Sequence, residues 1–290
     1  MPLHSREGPK AYKTQLQLLI SANHILHHHG LVDAFGHISI RNPLNSSEYI
    51  IAQYNPGAPA LVSSLDDFIE YNVDDSTPAY EPQPKGYSER FIHGEIFRRF
   101  PSVNCIVHSH SEKVISFTVA GATIKPVFHM AGFLGAEGPP IFDATGVYNN
   151  EYPHEKDYQP DMLVKNALLG THLADKFSKI PDSKTLDYPV VLQRKHGFTC
   201  VGDSIQNAVY RAIYLQKNCV LMKDAMDLNS GRLSNLDYLT PEEAEACAKM
   251  NEATADKAFR LWLREVEVNL LYRNEEGVPK ELPVGGMKEG

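Results

Sequence analysis

The sequence predicts a single α/β domain in which helices flank one sheet. Three observations lead there. Strand-like and helix-periodic segments alternate along the chain. Hydrophobic residues make up 42% of the 290, enough for a substantial core. No internal repeat or low-complexity tract interrupts the pattern.

The elements follow in order. Residues 12–29 read as a helix, with Leu16, Leu18, Leu19, Ile20, Ile25 and Leu26 forming its apolar face and Gly30 its stop. HISIRNP and EYIIAQY read as two short strands joined by an Asn/Pro/Ser turn. Ser88 is placed to cap a helix over 89–100 that stops at Pro101. VNCIVHSH reads as a buried strand ending in two histidines, and 112–120 as a helix. Residues 135–160, rich in Gly, Pro, Asn and Tyr, read as a long functional loop. A helix over about 160–178, a strand in YPVVLQRKHG and a helix over 204–224 follow. The last helix, about 241–270, opens on Thr240-Pro241-Glu242-Glu243, a cap with proline at the first helical position. Residues 1–11 are expected to form an N-terminal tail, 12–277 the domain, and 278–290, with Pro279 and Pro283, a loose C-terminal tail.

Charge and cysteine content narrow the function classes. With 28 basic and 36 acidic residues the net charge is −8, which argues against a general nucleic-acid binder but allows a local pocket for an anion. Cys105, Cys200, Cys219 and Cys247 are widely spaced without a C-x-x-C pair, as in a reducing compartment. The N-terminal MPLHSREGPKAYK lacks an apolar signal core. No apolar run approaches the roughly 20 residues of a membrane helix. Lys288-Glu289-Gly290 is no peroxisomal or ER address. The expectation is a cytoplasmic protein with no membrane or nucleic-acid partner.

His108 and His110 stand in V-H-S-H at a strand end. Residues i and i+2 of a strand share a face, so two imidazoles can grip one metal. His196, in R-K-H-G at the end of another expected strand, is the candidate third ligand and would leave positions open for substrate. Glu89, at a helix start, can ligate the metal or act as a base. Taken alone, the pair also fits two surface histidines, and the chain has 13 histidines to choose from. His27-His28-His29 reads as a cationic helix end. His24 and His28 lack the glutamate of a zincin motif, and Gly132, Gly135 and Gly138 lack the strand-to-helix context of a nucleotide loop.

GYSERFIHGEIFRRFPSVNCIVHSHS resembles the core of the class II aldolase/adducin family: Ser-Glu, a helix, Pro, then a strand ending in His-x-His. GLVDAFGHISIRNP resembles that family's opening loop and strand, and KHGFTCVGDSIQNAVYRA its His-Gly segment and following helix. The resemblance covers roughly residues 14–225. It implies a three-layer α/β/α sandwich around a mainly antiparallel sheet, in a cyclic homotetramer with sites at subunit interfaces. It also implies one divalent metal per chain (Zn, Fe(II), Mn or Co) held by His108, His110 and His196, with Glu89 as the catalytic carboxylate.

The departures from the family's sugar-phosphate aldolases bear on substrate. Their phosphate pocket uses a Gly-Asn, a Thr-Pro-Ser/Thr-Gly turn and a Ser-Ser-Glu. The corresponding positions here are Gly36-His37, the region Asn55-Pro56-Gly57, and Tyr87-Ser88-Glu89. An imidazole and a phenol replace the small donors that wrap a phosphate dianion. A non-phosphorylated carboxylic acid is therefore expected, with His37, Ser39, Arg41, Tyr87 and Ser88 as candidate substrate contacts; for Arg41 a solvated strand end is the competing reading. The tyrosine acid that several family aldolases take from a neighbouring subunit falls nearest to Met130, which cannot give a proton. His129 beside it is the candidate acid, with Tyr148 and Tyr152 as looser alternatives.

The opening loop is closer to the family's decarboxylase branch. The expected activity is metal-dependent C–C cleavage, decarboxylation first, of a small hydroxy acid. The alternatives are an Fe(II)/O2 oxidative decarboxylase with the same ligands, a retro-aldol lyase on a hydroxy-keto acid, and a non-catalytic adducin-like domain, which a complete ligand set disfavours.

Overall fold

The structure is a computed structural model that describes residues 9–82, 84–151 and 159–279. Its sheet has seven strands in the order β3-β2-β1-β4-β7-β6-β5. They are β1 (His37–Arg41), β2 (Glu48–Ala52), β3 (Phe68–Asn72), β4 (Cys105–Ser109), β5 (Ile141–Phe142), β6 (Val190–Gln193) and β7 (Gly197–Gly202). Every pairing is antiparallel except β5 with β6.

Period-2 alternation sorts these strands between two cores. Ile38, Ile40, Val107, Phe198 and Cys200 face one side and pack on α1 (Lys10–His28), α3 (Glu112–Ala120), α6 (Ile205–Leu228) and α7 (Pro241–Glu267). Ile51, Ile69, Ile106, Val191 and Val201 face the other, under α2 (Arg90–Arg99), α4 (Ala144–Glu151) and α5 (Ala167–Asp175). The result is the three-layer α/β/α sandwich with a mainly antiparallel sheet. α7 begins as its sequence requires: Thr240 and Glu243 form a reciprocal capping box with Pro241 at the first position.

Several elements differ from the sequence reading. Strand β3 was not anticipated, because buried Glu70, which accepts a hydrogen bond from Asn42 Nδ2, breaks its apolar pattern. Strand β7, bounded by Gly197 and Gly202, is not separated in sequence from the strand in YPVVLQRKHG that precedes it. The expected loop over 135–160 contains β5 and α4; residues 152–158, Tyr152 among them, lie outside the described residues. The helix expected over 160–178 narrows to α5, whose start Asn166 caps by accepting from the Leu169 N–H. Ser88 does not cap α2: Glu89 occupies the cap position without a side-chain cap bond. At the termini, α1 begins at Lys10 with Tyr12 buried, and Val278 packs on the core; residues 280–290 are outside the described set. All four cysteines are free thiols. Among the described residues no helix is long and apolar enough to cross a membrane.

Candidate metal centre

The site forms where β4 ends and its antiparallel neighbour β7 begins. His108 is the penultimate residue of β4, and His110 follows just beyond it. His196 sits in the turn joining β6 to β7. That turn places Lys195 in the left-handed region at φ 58°, a conformation costing about 1–2 kcal/mol for a non-glycine residue. A hydrogen bond from the Lys195 N–H to Thr118 Oγ1 helps hold it. Gly197 lets the turn approach β4: a Cβ there would lie 2.0 Å from the Ser109 carbonyl oxygen and 3.2 Å from His110 Cα. Glu89 enters from the start of α2 on the opposite side.

Nε2 of His110 lies 3.0 Å from Nε2 of both His108 and His196. Glu89 Oε2 lies 3.8 Å from His108 Nε2 and 3.7 Å from His196 Nε2. One ligand atom from each of the four residues falls within 4.8 Å of the others, the one such cluster among the described residues.

The outer hydrogen bonds of these imidazoles fix which ring nitrogens are free to meet a metal ion. Thr199 donates its hydroxyl proton to Gln193 Oε1, so its lone pair accepts from His108 Nδ1–H. That fixes His108 Nε2 as the lone-pair nitrogen. His196 hydrogen-bonds the Met162 backbone while its Nε2 faces the cluster, with the same outcome. Lone pairs packed this closely repel one another unless a cation lies among them, and outer hydrogen bonds of this kind orient ligating imidazoles. The donor set therefore fits a divalent ion, with nitrogen ligands suited to Zn, Fe or Co.

Burial biases every member toward its ligating form or toward proton exchange. Desolvation holds His108 well below the ordinary histidine value, with His196 and His37 adding to the effect. It lowers His110 and brings His196 to about 4, so all three are neutral at pH 7. Glu89, 6% exposed, is raised to about 7 by burial against the opposing hydrogen bond from the Val164 N–H.

Through His110 and Glu89 the cluster borders a cavity of about 750 Å³ whose wall includes Phe35, His37, Tyr54, Tyr87, Leu163 and Lys85. Among the described residues Lys85 is the one lysine or arginine lining it, its Nζ 4.3 Å from the centre of the Tyr54 ring. Asn55, Pro56, Gly57 and Ser88 also border it. The Tyr87 hydroxyl donates to the Gly57 carbonyl at 2.7 Å, which leaves its ring as the wall.

The other candidates from sequence fall elsewhere. Ser39 is fully buried, bonded to His93 rather than open to the cavity. Arg41 does not line this cavity: its guanidinium donates to the carbonyls of Val103, Ser46, Phe97 and Phe100, binding the end of α2 to the sheet. His129 lies in a 3₁₀ turn (His129–Leu134) that packs on α7 and is not brought to the cluster of its own chain. Tyr148 is buried and accepts a hydrogen bond from Asn166. Sequence reasoning missed His93, although it stands four residues after Glu89 and so shares its helical face. It also missed Thr199, and the Met162–Val164 backbone, which no side-chain pattern marks.

A three-layer α/β sandwich with an imidazole-carboxylate cluster at the ends of β4 and β7 is the architecture of a class II aldolase-type metal site. Residues 17–222 match the profile of the Class II Aldolase and Adducin N-terminal domain, and the chain belongs to that family. It is 39% identical over 265 residues to the decarboxylase tropJ of Talaromyces stipitatus, covering 89% of this chain and 96% of that protein. It is 28% identical over 215 residues to a 3,4-dihydroxyphthalate decarboxylase of Arthrobacter keyseri, covering 71% and 76%. Among solved structures, an aldolase II superfamily protein from Pseudomonas syringae superposes with a TM-score of 0.66 at 16% identity, over 93% of this chain and 98% of the other.

Proposed function

We propose that this protein is a metal-dependent decarboxylase of small, non-phosphorylated hydroxy acids, hydroxylated aromatic acids first among them. The observation that carries the reading is the convergence of three neutral imidazoles and one buried carboxylate, two of which, His110 and Glu89, open onto a cavity with aromatic walls. The decarboxylase relatives support the reaction type. The aromatic wall, with His37 and Tyr87 standing where the family's sugar-phosphate aldolases carry small donors, supports the substrate class.

A divalent ion held by His108, His110 and His196 would supply Lewis acidity for negative charge developing on substrate oxygen. Glu89, poised near neutrality, takes the proton of a substrate hydroxyl. As the carbon–carboxylate bond breaks, its electron pair stays with the substrate carbon and CO2 leaves. Glu89 then returns its proton to that carbon, which balances the reaction without an oxidant. Phe35, Tyr54 and Tyr87 line the cavity and would offer aromatic surface to the substrate ring. A homotetramer, with a neighbouring subunit closing the cavity and bringing His129 toward it, belongs to the same reading and is supported by the family resemblance, and a cytoplasmic location by the four free cysteines; light scattering giving a mass near four chains would agree with the assembly.

The test is anaerobic CO2 release from a panel of dihydroxybenzoates and dihydroxyphthalates, before and after chelation and metal return. Undiminished anaerobic release that is lost on chelation and restored by metal is expected. Oxygen-dependent turnover, chelator-resistant turnover, or efficient cleavage of fuculose 1-phosphate would each overturn the reading.

A further inference from the structure

Behind the cluster runs a chain of three buried side chains to which the reaction above gives no role. Ser39 Oγ lies 2.6 Å from His93 Nδ1, and His93 Nε2 lies 2.7 Å from His37 Nδ1. Ser39 and His93 have no exposed surface. His37 is the cross-strand neighbour of His108, its ring centre 5.0 Å from the His108 ring. It nevertheless stands outside the ligand cluster and lines the cavity.

The direction of the hydrogen bonds can be counted out. The Ser39 hydroxyl makes one hydrogen bond, to His93. Were it the acceptor, its own O–H would be a buried donor without a partner, which costs about 1–3 kcal/mol. With Ser39 as donor, only lone pairs go unused, the cheaper deficit. The Ser39 proton then occupies His93 Nδ1, so His93 carries its hydrogen on Nε2 and donates it to His37 Nδ1. His37 in turn carries its hydrogen on Nε2, which has no hydrogen-bond partner among the described residues. A doubly protonated His37 would reverse both bonds and orphan the Ser39 proton.

We propose that Ser39 and His93 hold His37 as a neutral Nε2–H donor facing the cavity, so that His37 hydrogen-bonds the substrate oxygen on which negative charge grows as the C–C bond breaks. His37 is thereby a catalytic donor and neither a base nor a metal ligand; Ser39 and His93 are positioning residues. A neutral donor suits decarboxylation, because an imidazolium would ion-pair with the departing carboxylate and hold it in place. The role in turnover rests on the decarboxylase reading; the proton arrangement does not.

The experiment uses the full-length protein labelled with ¹⁵N-histidine and reconstituted with zinc. Two-bond ¹H–¹⁵N correlations report which ring nitrogen carries hydrogen, and His37→Gln identifies the His37 signals by their loss. The expected wild-type result is a His37 ring protonated on Nε2 alone. Ser39→Ala should shift His37 toward the Nδ1–H form and lower kcat, with KM and zinc content little changed, whereas Ser39→Thr, which keeps the hydroxyl, should retain the wild-type tautomer. His37→Leu, which removes the donor, should lower kcat by roughly a hundredfold, as for an oxyanion donor. A wild-type His37 protonated on Nδ1 or on both nitrogens overturns the proposal, as does Ser39→Ala slowing turnover without moving the His37 tautomer. If no hydroxyaromatic acid is decarboxylated, the functional reading fails while the resting-state spectrum still decides the proton chain.

Discussion

The Val164 N–H donates to Glu89 Oε1 at 2.9 Å, leaving Oε2 turned toward His108 and His196. One backbone amide thus divides the carboxylate into an anchored oxygen and a working one. The same short segment supplies the Met162 backbone partner of His196. The stretch before α5 therefore orients both a metal ligand and the proposed base, although nothing in its own side chains marks it.

Glu89→Gln should separate proton transfer from metal binding. Glutamine keeps an oxygen for the Val164 N–H and places an amide where Oε2 stood, so it can no longer accept a proton. Metal measured by elemental analysis should stay near one per chain through the three histidines, while kcat falls by about a hundredfold or more. A metal-loaded Glu89→Gln enzyme with full turnover would make this carboxylate structural.

Gly197→Ala tests how the ligands are brought together. The added methyl meets the Ser109 carbonyl at 2.0 Å, so β7 must move away from β4 and carry His196 from His110. Reduced metal content and a lower thermal midpoint are expected, although no ligand is changed. Retention of both would show that the turn has slack at this position.

Much of this was legible in sequence, for physical reasons that can be named. His108 and His110 declare themselves because strand periodicity puts i and i+2 on one side, and His196 because a glycine follows it at a strand end. The helices α1, α3, α6 and α7 carry long apolar faces or clear caps. Strands β3 and β7 did not stand out, since buried Glu70 and paired glycines disguise them. Ser39 is expected at the substrate together with His37 and Arg41 of the same strand; α2 covers that side of the sheet further along the strand, and His93 takes the hydroxyl. Arg41 shares that face but lies beyond the cavity, where the carbonyls of Phe97 and Phe100 at the end of α2 draw its guanidinium.

Arg41→Gln follows from that placement. Glutamine cannot reach four carbonyls, so part-buried acceptors at the end of α2 lose their donors. A loss of about 2–3 kcal/mol in denaturant stability is expected, with KM for the substrate within twofold of wild type. A large rise in KM with stability unchanged would return Arg41 to the substrate site.

The last prediction concerns acid stability and uses histidines remote from the cluster. His24 is buried in α1, where Nε2–H donates to the Val62 carbonyl at 2.6 Å and its ring stacks 5.0 Å from Tyr272. Burial, the largest influence, lowers it to about 4, with His27 adding to the fall against the opposing Val62 bond. His29, packed edge-on against Trp262 of α7, is likewise brought to about 4 by burial, then by His28 and Lys217. Both folded-state values lie below the ordinary 6.5. The unfolded chain therefore binds protons first as pH falls, and stability drops in that direction. The contribution is complete above pH 6.5, declines between 6.5 and 4, and is exhausted below the folded value. For His24 alone the loss between pH 8 and pH 5 is about 2 kcal/mol. Urea midpoints of the metal-stripped protein should fall over this window, so that metal release does not contribute. His24→Gln, which keeps a donor for Val62 but cannot take up a proton there, should show a shallower decline than wild type. An identical pH slope in the two proteins would mean that His24 does not couple protonation to the docking of α1.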